Sequence, residues 1–269
     1  MPVFLLSSCD EPVRLDPKQS ASRIIIEGQV TNKPGYQYVK VTRSGGFYET
    51  GKTPRVTNAA VLVEDDLGTV YQYIHNPGNK SDSLGYYIPE KSFTGEIGRT
   101  YRLTVNIDDQ LYQAEDKLYS VTAVDSLSYQ VNEDEKDDPE DEGKFYEVLL
   151  YAKEPQETKD YYLFKFYRND SLKVQAETEI YIVDDEILGE SIDGVASPIY
   201  FAPGDLARVE MYSISRTAFV FYTDLQNLLI SDGGLFSQPP SNSRTNLSNG
   251  ALGFFQASAL DISAVEIKE

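Results

Sequence analysis

From Arg23 onward, apolar and polar positions alternate with a period of two, in short runs rich in β-branched and aromatic residues that end at Gly, Asn, Asp or Pro. The alternation predicts strands at Arg23–Thr31, Gln37–Arg43, Ala60–Asp65, Val70–Ile74, Gly85–Pro89, Thr100–Ile107 and Leu111–Ala114. Turns fall between them at Asn32-Lys33-Pro34-Gly35, Asp65-Asp66-Leu67-Gly68 and Asp108-Asp109. Short strands at this spacing predict a β-sandwich over 23–118. The same period continues through Ser120–Val131, Phe145–Ala152, Tyr161–Tyr167, Lys173–Val183, Ala207–Ser215 and Gly253–Ala259, which makes a second β-rich region of 119–269. One segment switches period. Ala218, Phe221, Tyr222, Leu225, Leu228 and Leu229 recur every three or four residues and predict an amphipathic helix at about 217–231. Ser215 or Thr217 is placed to cap its start and Gly233-Gly234 to stop it, and its apolar stripe should pack on a sheet face. The chain is therefore expected to be mainly β with one helix.

Within the second region, Glu133–Glu142 is acidic at eight of ten positions. So dense a like-charge run buries no apolar surface, and it is expected to be a solvated loop. Calcium is the alternative, with hard oxygen ligands from this run or from Asp184-Asp185-Glu186, but neither shows the D-x-[DN]-x-[DN]-G spacing. The excess of acids is global: 43 acidic against 24 basic residues give a formal charge of −19. That surface repels nucleic acid and anionic headgroups and offers no basic patch for counterion release. A hydrophobic content of 41% still suffices for a real core.

Membrane attachment has to come from elsewhere, because no stretch approaches the roughly 20 apolar residues that span a bilayer. Residues 1–8, Met-Pro-Val-Phe-Leu-Leu-Ser-Ser, read as the remainder of a signal peptide, and Leu6-Ser7-Ser8-Cys9 resembles the lipobox of bacterial lipoproteins. Eight residues without Lys or Arg are short for a complete signal peptide, which puts the native start upstream or makes this a shortened form. Cys9 is the sole cysteine, so no intrachain disulfide competes for it. Lipidation there provides a lipid anchor, and 9–22, with two prolines and no periodicity, becomes a flexible tether.

Catalytic chemistry is poorly provided for, and the protein is expected not to be an enzyme. The sole histidine, His75, follows a strand and precedes Asn76-Pro77-Gly78-Asn79, a loop start rather than the base of a triad. Zinc sites of Cys and His are excluded, no Walker A or G-x-G-x-x-G loop occurs, and neither a metal nor a cofactor is expected. Carboxylate pairs suited to glycoside hydrolysis arise by chance among 43 acids. The 20 tyrosines mostly alternate along strands, as sheet residues do, and there is no Trp to serve as a sugar platform.

Phe93 to Val105 contains Gly98-Arg99-Thr100-Tyr101-Arg102-Leu103-Thr104-Val105, which resembles the G-x-T-Y-x-L-x-V strand of transthyretin-like and carboxypeptidase-regulatory-like sandwiches. A wider resemblance covers nearly everything after Cys9. Ile24-Ile25-Ile26-Glu27-Gly28-Gln29-Val30-Thr31, Val39 to Arg43, Asn58 to Gly68, Asp125-Ser126-Leu127, Asp160 to Leu163 and Asn249 to Phe255 resemble, in order and spacing, the DUF4249 family of Bacteroidota lipoproteins. That resemblance implies an outer-membrane lipoprotein on the cell surface, with acidic Asp10 and Glu11 matching a surface-export signal. It further implies, by genetic association, a non-enzymatic accessory role to a TonB-dependent receptor, but no catalytic residues. A structural or adhesive envelope module is the alternative, and a carboxylate-dependent hydrolase a distant third. Phe47 and Tyr48, after Gly45-Gly46, are the candidate partner-binding pair, with packing on their own sheet as the competing role. Asp82-Ser83-Leu84, Asp125-Ser126-Leu127 and Asp170-Ser171-Leu172 resemble an O-glycosylation acceptor of the same phylum, and Ser83 alone stands in a plain loop context.

Overall fold

In chain order the strands are β1 (Ile24–Thr31), β2 (Tyr38–Arg43), β3 (Ala60–Asp65), β4 (Val70–His75), β5 (Tyr86–Pro89), β6 (Thr100–Ile107), β7 (Gln110–Lys117), β8 (Val124–Val131), β9 (Tyr146–Lys153), β10 (Tyr161–Arg168), β11 (Ser171–Lys173), β12 (Tyr181–Asp184), β13 (Ser191–Phe201), β14 (Leu206–Ser213), β15 (Leu252–Ser258) and β16 (Leu260–Glu266). Among the described residues, helices α1 (Glu133–Asp137) and α2 (Arg216–Leu229) join them. This is a computed structural model, and it describes residues 22–45, 53–139, 141–153, 158–174, 179–185, 191–231 and 242–269. The chain is mainly β, as its alternation predicts.

The first seven strands and β15 form one sheet in the order β15-β1-β2-β5-β4-β3-β6-β7. It curls until its ends approach, so its halves face each other across one core, as two layers of a sandwich would. Alternation sets the inward side: Tyr101, Leu103, Val105 and Ile107 of β6 are buried, while Arg102 and Asn106 point to water. The Asp108-Asp109 turn works without glycine because both residues adopt left-handed φ, 49° and 63°, as a two-residue hairpin of this hand requires.

Strand β15, from near the end of the chain, completes the first sheet. It pairs parallel to β1, with Ile26 opposite Gly253 and Gly28 opposite Phe255. Gly28 has no side chain because the Phe255 ring fills that place; a Cβ there would lie 2.8 Å from Phe255 Cδ2. Sequence alternation cannot reveal such a pairing, because it reports which face a residue takes and not which distant strand lies beside it.

The remaining strands form sheets β13-β9-β8 and β11-β10-β14-β16, with β12 also pairing β10. Their facing sides share a core that includes Val148, Leu150, Phe164, Phe166, Ile192, Phe201 and Met211. The other side of β10 and β14 is covered too, by Ala218 and Phe221 of α2 and by Phe254 of β15. Covering on both faces explains why β10 reads as an unbroken apolar run, Tyr161-Tyr162-Leu163-Phe164.

Some expectations fail for identifiable local reasons. Strand β13 escapes the alternation because one register shift at Gly194, whose φ is 68°, and a second spanning Pro198 break its period; such features also blunt an edge strand. The span Lys173–Val183 is not one strand but parts of two, β11 and β12, which pair successive halves of β10. Within the acidic run, Glu133–Asp137 is helical rather than loop. The Asn132 side chain caps it by accepting the Glu135 N–H at 3.1 Å, and Glu133, Asp134 and Glu135 occupy the first turn, where the helix dipole favours carboxylates.

Helix α2 begins where predicted, with Ser215 Oγ accepting the Ala218 N–H at 3.1 Å; the proposed stop at Gly233-Gly234 lies outside the described residues. Ser215→Ala removes that cap, and the expected loss is about 1 kcal/mol, a fall in Tm of about 2–4 °C. A thermal melt unchanged within 0.5 °C, read as roughly zero cap energy, would show that the cap carries no weight.

Candidate functional site

Cys9, Phe47 and Tyr48 lie outside the described residues. Ser83 ends a short 3-10 turn, Ser81–Ser83, beside exposed Leu84. Its context is less distinctive than the sequence implies. Ser126 is exposed on β8, and Ser171 is exposed just after a tight turn in which Asn169 and Asp170 take φ of 49° and 64°.

His75 has a structural position. Its Nε2 accepts the Gly85 N–H at 3.0 Å, which fixes the proton on Nδ1, and the Tyr87 ring lies 5.1 Å away. Burial holds its pKa below the usual imidazole value, so the neutral acceptor form is the stable one.

The most elaborate polar centre surrounds Glu210, which is 1% exposed on the α2-facing side of β14. Its carboxylate accepts from Tyr212 at 2.8 Å and Tyr167 at 3.1 Å through one oxygen, and from Tyr36 at 3.2 Å through the other. Arg208 lies 3.6 Å from the second oxygen and stacks on the Tyr167 ring at 4.0 Å. Lys165, opposite Glu210 in the ladder, sits over the Tyr212 ring at 4.6 Å. Burial draws the Lys165 pKa down, with the Glu210 charge acting against it. Burial first, and then Glu210, push the hydroxyls of Tyr36, Tyr167 and Tyr212 up, so all three remain donors. With both carboxylate oxygens engaged by the protein's own donors, the centre joins the β1–β2 turn, which supplies Tyr36, to the second region. The sequence carried a faint signal for it: Arg208, Glu210 and Tyr212 occupy one parity of β14, opposite the apolar Ala207, Val209 and Met211.

A second centre closes the curled sheet. Asp116 takes an inward place in the alternation of β7 and is 6% exposed, and its Oδ2 accepts the Ala257 N–H of β15 at 2.9 Å. Nearby, the Asn246 side chain donates to Glu115 O at 3.0 Å and Phe255 O at 2.7 Å, and accepts the Phe255 N–H at 3.1 Å. Side chains thus stand in for a direct ladder between β7 and β15. Burial pushes the Asp116 carboxyl up to about 7, against the Ala257 and Lys117 N–H groups and the Ser215 hydroxyl, which favour its charged form.

Asp65 shows the opposite balance. Burial raises its carboxyl, but the Thr69 and Leu67 N–H groups, the Thr69 hydroxyl and Arg99 together hold it below the usual range. It organises the predicted Asp65–Gly68 turn, with Oδ1 accepting from Leu67 at 3.0 Å and Thr69 at 2.9 Å. Beside it, Glu64, Asp66, Thr100, Arg102 and Glu115 line a shallow depression of about 270 Å³. Among the described residues no group of His, Cys, Asp or Glu is arranged to hold a metal ion, and no helix is long and apolar enough to cross a membrane.

The outer wall of the curled sheet is uneven. Along β6 and β7 the outward positions are mostly polar, including Arg102, Thr104, Asn106, Gln113 and Glu115. Across β4 and β5 they include Val70, Ile74 and Ile88, with 49%, 40% and 40% of their surface in water. Ile74 and Ile88 are direct cross-strand partners, and Leu62 of β3, opposite Gln72, lies diagonal to both Val70 and Ile74. This apolar sector was not foreseen. The signal was present, since both faces of Val70–Ile74 and Tyr86–Pro89 carry apolar or aromatic residues.

Comparison with curated proteins gives no match. The family described as a domain of unknown function, DUF4249, matches residues 10–261, which contain every strand from β1 to β15 and both helices. The chain therefore belongs to the DUF4249 family.

Proposed function

We propose that this protein is a non-enzymatic surface lipoprotein, tethered to the outer membrane through Cys9, that serves as a binding component of a TonB-dependent receptor or transport complex. The observation that carries the binding role is the contrast between interior and wall. The buried charges Glu210, Asp116 and Asp65 spend their hydrogen bonds on the protein's own backbone and side chains, while one sector of the wall leaves isoleucine and valine in water. Family membership supports the rest, together with the lipobox-like Leu6-Ser7-Ser8-Cys9. A lipid on Cys9 would confine the folded part near membrane partners, so a modest interface is enough.

Affinity purification of the lipidated protein from native membranes in mild detergent should recover a receptor barrel at near-stoichiometric yield. In its native host, Cys9→Ala should move the protein to the soluble fraction and abolish that recovery. Recovery of the protein alone at native expression would turn the reading toward a free-standing envelope module. A variant that stays in the membrane, with no acyl mass on wild-type Cys9, would remove the anchor from it.

A further inference from the structure

We infer that the outer wall of β3, β4 and β5 is a docking surface for a protein partner that presents apolar side chains beside a lysine or arginine; the inference deepens the accessory reading and rests on it for the identity of the partner. The apolar half of the argument is the sector itself. One sheet with one alternation keeps its outward positions mostly polar on β6 and β7, yet places Val70, Ile74 and Ile88 in water next to Leu62. Tyr38 and Tyr86 extend the same face, their ring centroids 6.0 Å apart, with Lys40 above the Tyr86 ring. Past Tyr38 the wall passes under α2, where Tyr222 donates to Gln256 of β15 at 2.8 Å. The chain thus covers one stretch of this wall with its own helix and leaves the adjoining stretch bare.

The charged half decides the occupant. Glu64 is the cross-strand partner of Val70 on one side and of Arg102 on the other, and it opens into the depression it shares with Asp66 and Glu115. Arg102 pairs with Glu115 at 2.9 Å and Asp66 with Arg99 at 2.9 Å, while Glu64 makes no ion pair among the described residues. A cationic side chain arriving beside Val70 would meet that carboxylate. A second copy of this chain would bring a charge of −19 against −19, and an anionic lipid surface is repelled in the same way, so a partner with a basic rim is the occupant that fits.

The test uses the full lipidated chain in native membranes, with Ile88→benzoylphenylalanine on the sector and Asn106→benzoylphenylalanine on the polar wall. On irradiation, position 88 should crosslink to the barrel protein that co-purifies with wild type, through a peptide in which an apolar residue neighbours Lys or Arg, and position 106 should not. The double variant Ile74→Ser with Ile88→Ser should lower partner recovery at least tenfold, and Glu64→Lys several-fold, each with the wild-type melting profile. If the barrel is recovered but crosslinks from 106 and not from 88, or is undiminished by the double variant, the surface is wrong and the accessory reading stands. If no barrel is recovered while position 88 captures another protein through such a peptide, the surface stands and the accessory reading falls. Crosslinks from 88 to lipid or to a second copy overturn the choice of occupant.

Discussion

Gly253→Ala should cost at least about 4 kcal/mol, a large part of the 5–15 kcal/mol that holds a typical domain together. Gly253 sits at φ +95°, and a Cβ on it would lie 2.1 Å from Ile26 O and 2.9 Å from Ile26 C. Both atoms are backbone of β1, and Ile26 is the parallel ladder partner of Gly253, so neither strand can yield without breaking the pairing that completes the curled sheet. Two costs combine: the left-handed conformation, about 1–2 kcal/mol for an L-residue, and the displacement of a buried ladder. Gly35→Ala separates them, because Gly35 has φ +85° with nothing within 4 Å of its Cβ position, and only the conformational cost applies. In urea unfolding, Gly35→Ala should shift the midpoint modestly, and Gly253→Ala should leave little folded protein at 37 °C. Equal shifts for the two would mean that the β1–β15 contact is not what makes Gly253 necessary.

That pairing marks the limit of what the sequence makes legible. Ala60–Asp65 and Thr100–Ile107 coincide with observed strands because each presents one face to a core and one to water, which alternation records directly. The helix is found at Arg216–Leu229 for the same reason at a different period, with Ser215 as its cap. Residues 24–31 and 249–255 both stood out as family-like stretches, but their spatial relation was not legible, since nothing local in either names the other as neighbour. The same holds for Glu210: parity on β14 separates Arg208, Glu210 and Tyr212 from the apolar residues, yet only the fold brings Tyr36 to them. Asp116 was missed for a simpler reason. A strand ended at Ala114 does not reach it, although the inward series Tyr112, Ala114, Asp116, Leu118 continues without a break.

Asp116 carries the second large expectation, in the pH dependence of stability. Its folded-state pKa of about 7 lies about 3 units above the ordinary value of 3.8, because burial penalises the carboxylate more than the Ala257 and Lys117 N–H groups and Ser215 stabilise it. A folded pKa above the unfolded one means that the folded state holds the proton more tightly. The contribution of this group to stability is therefore fully present below about pH 4 and is lost progressively as pH rises to about 7. Three units correspond to about 4 kcal/mol, an upper figure that local opening of the seam would reduce. Asp116→Asn keeps an oxygen to accept the Ala257 N–H and removes the titration. The variant should therefore be more stable than wild type at pH 8, and its advantage should be about 2–3 kcal/mol larger there than at pH 5. Carboxylates elsewhere titrate alike in both proteins and cancel in the difference. Urea unfolding of the pair at pH 5, 6, 7 and 8 measures it, and amide exchange at Ala257 should report the same trend locally, with faster opening in wild type as pH rises once the intrinsic rate is removed. A difference that is flat across this range, or that grows toward acid, would place the charge of Asp116 in water and leave the β7–β15 seam to Asn246.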